Sequence, residues 1–458
     1  MVTSFNGNQE VSYSIDSELV ESILEAVRQG RRNELVQLLE PLHPADIADV
    51  LEQIGSAERA DLVNLWGVGF DSGVLPELDD NIAVEVVDSL PSEQLSDAVR
   101  DLESDQVVDL VEDLEPGRQE EVLNTLDEAG RAAVEKLLNY PEDSAGRLMQ
   151  REFVMLPLHW TVGEAIDFLR SSNDPPDGFY HVMLVDSHIK PVGQVALGRL
   201  MSSKREVELK NISESGFMTF SAAQSQEDVA YAFKQYRLVS APVVDETGRL
   251  IGAVTIDDAV DVLDEHATED MHLLAGVGDE SLSDHVLEIA KQRFPWLIAN
   301  LATAVLASAV IAQFSATIEA VVALAVLMPI VVSMGGNAGT QSLTVAVRAI
   351  ATKDLTGSNA WRVIRRESVV GLINGVVFAM IIGSVGLVWY ESTTLSVVLA
   401  AAVVVTMLMA GISGILVPIL LERARVDPAL ASGAFVTTVT DVVGFFAFLG
   451  LAYKVFLS

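Results

Sequence analysis

The chain has 458 residues, half of them apolar, and a formal net charge of −36 from 65 acidic residues against 29 Lys and Arg. It offers no basic stripe for a phosphate backbone, so nucleic acid is excluded as a partner. Cysteine is absent, so disulfides and thiolate metal sites are excluded, and any metal site must use oxygen ligands that suit hard cations.

The first 140 residues predict a stacked array of short helices. The opening 22 residues have neither a basic start nor an apolar stretch, so we expect no secretory signal and a cytoplasmic N-terminal part. Short helices cannot bury an apolar stripe alone, which favours a superhelical array over residues 1–140; a plain bundle is the alternative. Leucines recur every twelve residues, namely Leu90, Leu102, Leu114, Leu126 and Leu138.

A repeat follows at residues 141–205 and 206–262. The segments FYHVMLVDSHIKPVGQVALGRLM and RLVSAPVVDETGRLIGAVTIDDAV align Asp186 with Asp245 and Gly193 with Gly252. Each unit reads as a strand, a helix and two further β segments, which predicts a compact α+β module. The repeat resembles a tandem pair of CBS (cystathionine-β-synthase-type) domains.

The CBS resemblance implies a cleft for ATP or another adenine nucleotide. Thr255 and Asp258 match the usual pattern of the second module, whereas Ala196 and Arg199 depart from it in the first. We therefore expect at most one nucleotide cleft. The alternative is a pair that acts only as a dimerising lever.

An acidic helix, TIDDAVDVLDEHATEDMHLL, is expected to run into the first span, and the connecting (plug-type) helix is placed at residues 263–294. Asp258, Asp261, Glu265 and Glu269 fall near one side at helical spacing. Like charges so placed cost a helix about 0.2–0.5 kcal/mol per pair, and a bound cation would remove that cost. A solvated acidic face is the alternative.

Residues 295–458 predict an all-α membrane domain in contact with lipid. Five apolar stretches have the length that crosses a bilayer. Lys and Arg precede the first stretch and occur in the second and fourth connections, whereas the other two connections have none. The positive-inside rule therefore puts the N-terminus in the cytoplasm and the C-terminus outside the cell (inner) membrane. The stretches run from about Trp296 to Phe314, Val321 to Val345, Val369 to Tyr390, Leu395 to Leu420 and Ser432 to Tyr453.

Asp441, in AFVTTVTDVVGFFAF, is the ionisable residue expected well inside these stretches. An intramembrane carboxylate is costly and indicates function by default, although a protonated Asp bonded to another helix is the alternative. Mg²⁺ keeps several waters and needs few outer contacts, so two Asp441 side chains facing each other in a homodimer would suffice.

The second stretch contains MPIVVSMGGNAGTQS, whose proline and glycines predict a helix loosened in mid-membrane. Freed carbonyls and neutral side-chain oxygens could face a hydrated cation there. Tight packing of small residues is the alternative. The residues expected to line a pore are Pro329, Gly335, Gly336, Asn337, Gly339, Thr340 and Gln341.

The segments PEDSAGRLM, MPIVVSMGGNAGTQS, VDPAL and TDVVGFF, in this order around a CBS pair and five spans, resemble the MgtE family of Mg²⁺ transporters and channels. The resemblance implies a homodimeric pore with Asp441 as its carboxylate, closed by intracellular Mg²⁺. It places regulatory Mg²⁺ on Asp258, Asp261, Glu269, Asp270 and Asp427. His266 stands where the family pattern has an acid.

Three functions are open at this point: a gated Mg²⁺ channel, an ion-coupled divalent cation transporter, and a membrane-anchored nucleotide sensor. Coupled transport would normally need inverted repeats or a second membrane acid, and a sensor would need no membrane acid at all. Neither nucleophile–base spacing nor a phosphate loop is present, so an enzyme is not expected. Co²⁺, Mn²⁺ and Ni²⁺ fit the same pattern as cargo.

Overall fold

The computed structural model describes residues 15–171, 176, 178–214, 216–278 and 286–457. Its contacts divide the chain into two units, one ending at Asp264 and the other beginning at Glu265. Each unit has its own hydrophobic cores.

The described part of the first unit begins with nine α-helices. Most have ten residues or fewer, below the length at which an isolated helix is stable in water, so each depends on its neighbours. Leu90 and Leu114 are buried between them, which confirms the predicted stacking of short helices. The helices are α1 Ser17–Arg28, α2 Arg32–Leu39, α3 Pro44–Gln53, α4 Ser56–Trp66, α5 Asp80–Ser89, α6 Ser92–Arg100, α7 Ser104–Glu112, α8 Pro116–Thr125 and α9 Glu128–Leu137, with a 3₁₀ helix Ser72–Glu77 after α4.

Two α+β modules follow, each with a three-stranded sheet. In both sheets the first strand pairs in parallel with the second, and the second pairs antiparallel with the third. The repeated glycines hold equivalent positions, because Gly193 pairs with Leu184 and Gly252 with Val243. The predicted CBS-like pair is confirmed. Its elements are α10 Ala145–Leu148, β1 Val154–Pro157, α11 Val162–Ser171, β2 His181–Val185, β3 Pro191–Ala196, α12 Leu197–Ser202, β4 Phe220–Ser221, α13 Gln226–Tyr236, β5 Ser240–Val244 and β6 Leu250–Thr255.

The acidic helix α14, Ile256–Ala275, contributes its first half to one unit and its second half to the other. It ends at Gly276, whose φ is +72°. The amide of Gly276 donates to the carbonyl of Leu273, and that of Val277 donates to the carbonyl of His272. This arrangement is a Schellman C-cap, so the prediction that α14 runs into the first span is wrong.

The second unit is helical throughout its described part. Five of its helices are long and apolar enough to cross a membrane, which confirms the five predicted spans. Among these candidate spans, α19 is the most buried and forms the centre of the bundle. The helices are α15 Val286–Ala312, α16 Ser315–Ala320, α17 Ala323–Ala351, α18 Ala360–Tyr390, α19 Thr393–Arg423 and α20 Pro428–Phe456.

The prediction of a loosened second span is wrong, because α17 is one uninterrupted helix that contains Pro329. Gly335 and Gly339 are buried against α19 and α20 rather than unwound. A Cβ atom at Gly339 would lie 2.7 Å from Cγ1 of Val436. Small residues serve here to bring helices together, and the helical backbone keeps its hydrogen bonds where no water can replace them.

Candidate cation sites in the two units

An acidic seam lies in the first unit between α7 and the start of α14; we define it as Asp105, Asp109, Glu112 and Asp258. Asp105 is buried, with only 5% of its surface exposed. Asp258 accepts hydrogen bonds from the amide and hydroxyl of Thr255, at 3.1 and 2.5 Å. The seam therefore joins the helical array to the second α+β module.

The start of α7 is anchored to the segment that leads into the first module. The hydroxyl of Ser104 donates to Glu152 at 2.8 Å and accepts from the amide of Arg151 at 2.9 Å. Asp105 follows directly in the chain. These contacts explain why the acidic face of α7 has a defined position in the first unit.

The seam carboxylates repel one another. Burial raises the pKa of Asp105 well above its ordinary range, and the charges of Asp258 and Glu103 raise it further. Burial raises the pKa of Asp258 to about 6, against the opposing effect of the Thr255 hydrogen bonds. Carboxylates held together in this way favour any cation that replaces their lost hydration.

Asp109 lies at the solvent-accessible side of the seam. Desolvation by neighbouring groups raises the pKa of Asp109 to about 7. The charges of Glu112 and Asp258 raise it further, and the charge of Arg147 lowers it. Burial likewise raises the pKa of Glu112, again against Arg147. Water can reach this side, so a partly hydrated Mg²⁺ would fit better here than a dehydrated ion.

Arg147 is the buried positive charge beside the seam, with 8% of its surface exposed. Its Nη2 lies 3.4 Å from Oε1 of Glu112. Its Nε and Nη1 are buried and have no hydrogen-bond partner. The guanidinium thus neutralises the seam only in part.

The seam residues of α7 were not predicted. Asp105, Asp109 and Glu112 occur at i, i+4 and i+7 in SDQVVDLVED, which places them on one face of a helix. In a chain with 65 acidic residues such a stripe is unremarkable as sequence. Only the packing of α7 near α14 distinguishes it.

The predicted regulatory residues occupy several places. Partial burial raises the pKa of Asp261, and Asp257 and Asp264 raise it further. Glu269 keeps solvent access, with Oε2 3.4 Å from Nδ1 of His266. Asp270 is half-buried in the second half of α14. Asp427 caps α20, where its carboxylate accepts from the amide of Ala429 at 2.6 Å.

The predicted nucleotide residues are engaged with each other. Thr255 donates both of its polar hydrogens to Asp258, and Asp258 also belongs to the acidic seam. In the first module Ala196 precedes α12 and Arg199 lies within it.

Asp441 lies on α20 and is half-buried. Within the part of the chain that the structure describes, no hydrogen bond or ion pair reaches its carboxylate. The hydroxyls of Thr437 and Thr438 donate to carbonyls of their own helix, so their oxygens remain available as acceptors. The hydroxyl of Thr440 does the same toward Thr437. The carboxyl group of Asp441 thus has two threonine hydroxyls within one turn of its own helix and no counterion among the described residues.

One face of α17 is polar and exposed although the helix is apolar overall. Asn337, Thr340 and Gln341 are exposed, together with Ser333 and Thr344. At 100° per residue, all of these lie within one side of the helix. Pro329 is exposed on the same side, and Gly336 has open space where a side chain would be. The predicted pore residues thus divide into this face and the buried pair Gly335 and Gly339.

Glu367 lies near the start of the candidate span α18, and its carboxylate was not predicted as a site. Its side chain is only 13% exposed and lies 3.2 Å from Arg366. The hydroxyl of Ser342 on α17 donates to it at 3.2 Å. It follows a basic run in the sequence, which made it look like part of a connection. The argument against coupled transport from a missing second membrane acid therefore does not hold, although Glu367 is already paired.

The second half of α14 reaches the ends of two candidate spans. Leu273 and Leu274 pack on a buried cluster that includes Leu343 and Val347 of α17 and Val436 of α20. A Cβ atom at Gly433 would lie 3.7 Å from the carbonyl oxygen of Leu274. A movement of this end of α14 would therefore change its packing against both α17 and α20.

No three carboxylate or imidazole groups converge on a metal-binding position among the residues that the structure describes. Neither Asp441 nor the acidic seam is therefore a closed cage. A cation at either place would need water or a second chain to complete its coordination.

Comparisons with known proteins decide the family. The magnesium transporter MgtE of Thermus thermophilus is 32% identical over 456 residues, which cover 96% of this chain and 98% of that protein. The chain belongs to the MgtE family. Residues 328–451 match the family description "Divalent cation transporter", residues 42–143 the MgtE intracellular N domain, and residues 209–265 a CBS domain.

Two further similar proteins support the same family assignment. The magnesium transporter MgtE of Bacillus subtilis is 29% identical over 436 residues, covering 95% of this chain and 97% of that protein. The solved cytosolic domain of a Mg²⁺ channel MgtE in complex with ATP is 29% identical, with a TM-score of 0.50 over 53% of this chain and 99% of that one. The predicted family is confirmed, and it is a family of transporters rather than enzymes.

Proposed function

We propose that this MgtE-family chain is a Mg²⁺ channel of the cell membrane, which opens as a homodimer and is closed by cytoplasmic Mg²⁺. The carboxylate of Asp441, which has no described partner and lies on a helix that packs against Gly335 and Gly339 of α17, carries the proposal. An uncompensated acid in an apolar helix bundle is costly unless a cation or a water-filled path faces it. In a dimer, two such faces would enclose one path.

The path is proposed to be lined by Asp441, Asn337, Thr340 and Gln341, with Pro329 and Gly336 on the same face. Carboxylate and amide oxygens contact the water shell of the ion rather than stripping it, since Mg²⁺ dehydrates reluctantly. Gly335 and Gly339 are left out of the lining because they pack between helices. Co²⁺, Mn²⁺ and Ni²⁺ carry the same charge and are candidate competitors.

Closure is proposed to follow from Mg²⁺ binding at the acidic seam and at the sensor acids of the resemblance. Asp105, Asp109 and Asp258 repel one another, so a cation would stabilise the arrangement that holds them together. Asp261, Glu269, Asp270 and Asp427 would bind further ions along α14 and at the start of α20. The end of α14, packed on α17 and α20, would then hold the pore shut.

This scheme sets an energetic requirement. Moving a two-state equilibrium from 1:99 to 99:1 needs roughly 5.5 kcal/mol of differential binding. One weak surface site cannot supply that, whereas several carboxylate sites acting together can. The scheme also requires the N-terminus and α14 in the cytoplasm and the C-terminus outside.

The direct test is Mg²⁺ flux into liposomes that contain the purified wild type or Asp441→Asn. We expect flux in the wild type and about a hundredfold loss in the variant, because the amide keeps the shape but not the charge. Glu422→Gln, which removes an exposed charge at the end of α19, is the matched control and should conduct normally. Equal flux in the wild type and Asp441→Asn would contradict the proposal.

The same vesicles separate a channel from a coupled transporter. Flux that persists after proton and sodium gradients are collapsed supports a channel. Flux that stops when one gradient is removed would identify coupled transport instead.

ATP binding by the CBS pair is a second proposal, supported by the relative whose cytosolic domain was solved with ATP. Thr255 and Asp258 are the residues that would meet the nucleotide. Calorimetry of the full chain with ATP should give saturable binding that Thr255→Val weakens. Binding that is absent, or unchanged in the variant, would remove the proposal.

A further inference from the structure

Glu367 belongs to a built contact among three membrane helices. Its carboxylate, 13% exposed, accepts a hydrogen bond from Ser342 of α17, whose own exposed fraction is 9%. Ser342 is thus buried, and Glu367 is largely covered by the apolar helices around it. A polar pair at such a place persists only when each member satisfies the other.

Two glycines of α19 make this contact possible. A Cβ atom at Gly414 would lie 2.6 Å from Cβ of Ser342 and 2.8 Å from the carbonyl oxygen of Gly339. A Cβ atom at Gly411 would lie 2.6 Å from the carbonyl oxygen of Glu367. The backbones of α17 and α18 therefore both approach α19 closely, and Ser342 and Glu367 meet beside it.

Ser342 is well placed to set the rotation of α17. It is the neighbour of Gln341 and lies 100° from it around the helix axis, so a bond that holds Ser342 inward also turns Gln341 and Asn337 outward. The hydroxyl of Ser342 donates to another helix, whereas most serines and threonines of these helices donate to their own backbone.

We infer that Glu367 is a positioning residue of the conduction path, which fixes the rotation of α17 through Ser342 and so aims Asn337 and Gln341 at the passing cation. The inference rests on the proposed Mg²⁺ flux. Glu367 does not itself bind the ion, because its carboxylate is already paired with Ser342 and Arg366.

The experiment measures the half-saturating Mg²⁺ concentration and the maximal flux separately in liposomes. Ser342→Ala and Glu367→Ala should each raise the half-saturating concentration about three- to tenfold, the range expected for the loss of one ordinary hydrogen bond. Maximal flux should change less. The double variant should match the single ones, because either change alone already breaks the bond.

Two further variants make the test specific. Glu367→Gln keeps an acceptor for Ser342 and should stay within about twofold of the wild type. Ser413→Ala removes a buried hydroxyl that bonds only the carbonyl of Ala410 in its own helix, and should behave as the wild type. Ser342→Ala is a small change that should fold even if Glu367→Ala does not, so it decides the matter alone if necessary.

Wild-type saturation in Ser342→Ala would overturn the inference while leaving the proposed channel intact. A defect in Glu367→Gln as large as that in Glu367→Ala would also overturn it, since charge rather than the hydrogen bond would then matter. A wild type that conducts no Mg²⁺ would overturn the channel and the inference together.

Discussion

The two units place carboxylates in opposite surroundings. In the first unit Asp105 and Asp258 lie near other acids, and burial with mutual repulsion raises their pKa values. In the second unit Asp441 lies among threonines whose hydroxyls are bonded within their own helix. Several acids together would hold a cation tightly, whereas a single acid among neutral oxygens would bind a cation weakly enough to release it.

This difference matches the two roles proposed here, regulation and passage. A regulatory site must hold its ion long enough to bias a conformational equilibrium, so it profits from several charges. A conducting site must bind weakly enough to release. The predictions below challenge that division, beginning with the largest effect.

Asp258→Asn should raise the Mg²⁺ concentration needed for closure by about tenfold to a hundredfold, while flux at low Mg²⁺ stays normal. One charge-assisted contact is lost from a shared cation, worth roughly 1.5–3 kcal/mol. The measurement is flux at a series of cytoplasmic Mg²⁺ concentrations. Glu227→Gln, which removes an exposed charge near the start of α13, is the control, and an equal shift in both variants would remove the seam as the sensor.

Arg147→Gln should act in the opposite direction and more weakly. The guanidinium competes with Mg²⁺ for the seam, so its loss should lower the closing concentration by about three- to tenfold, as for one partly compensated charge pair. Arg131→Gln is the control, since Arg131 pairs with Glu120 and Glu135 away from the seam. A higher closing concentration in Arg147→Gln would show that the arginine supports the closed state instead.

Lowering the pH should reduce the effect of Mg²⁺ on the stability of the first unit. The pKa values of Asp258 and Asp109 are raised to about 6 and about 7 in the folded chain. Their repulsion is therefore relieved as the pH falls through those values toward the unfolded range near 4. Protonation then replaces the cation, and stability without Mg²⁺ rises.

Melting curves of the purified protein with EDTA and with Mg²⁺ check this pH prediction. The difference in Tm between the two conditions should be clearly larger at pH 8 than at pH 6. A difference that is independent of pH would mean that Mg²⁺ stabilises the chain at groups other than the seam.

The sequence was sufficient where the signal is local. Apolar length reveals the five spans, and the repeated Val-Asp and Gly positions reveal the paired modules, because both follow from periodicity along the chain. The acidic stripe of α14 follows from helical spacing in the same way, and its sensor role stays a prediction. The acids of α7 were not predicted, since their proposed role depends on packing near Asp258, which lies about 150 residues further along the chain.

In the second unit, local sequence patterns led to two wrong predictions. The run with Gly335, Gly336 and Gly339 suggested an unwound segment, yet α17 stays helical because close neighbours on α19 and α20 fill the space that side chains would take. Glu367 was assigned to a connection because basic residues precede it. Its burial depends on where α18 begins and on glycines in α19, which no local pattern reveals.

The most direct test of the division between regulation and passage is one flux series with the wild type, Asp441→Asn, Asp258→Asn and the double variant, measured at low and high cytoplasmic Mg²⁺. We predict that Asp441→Asn conducts at neither concentration, that Asp258→Asn conducts at both, and that the double variant resembles Asp441→Asn. Conduction through Asp441→Asn at low Mg²⁺, or closure of Asp258→Asn at the wild-type concentration, would contradict the account.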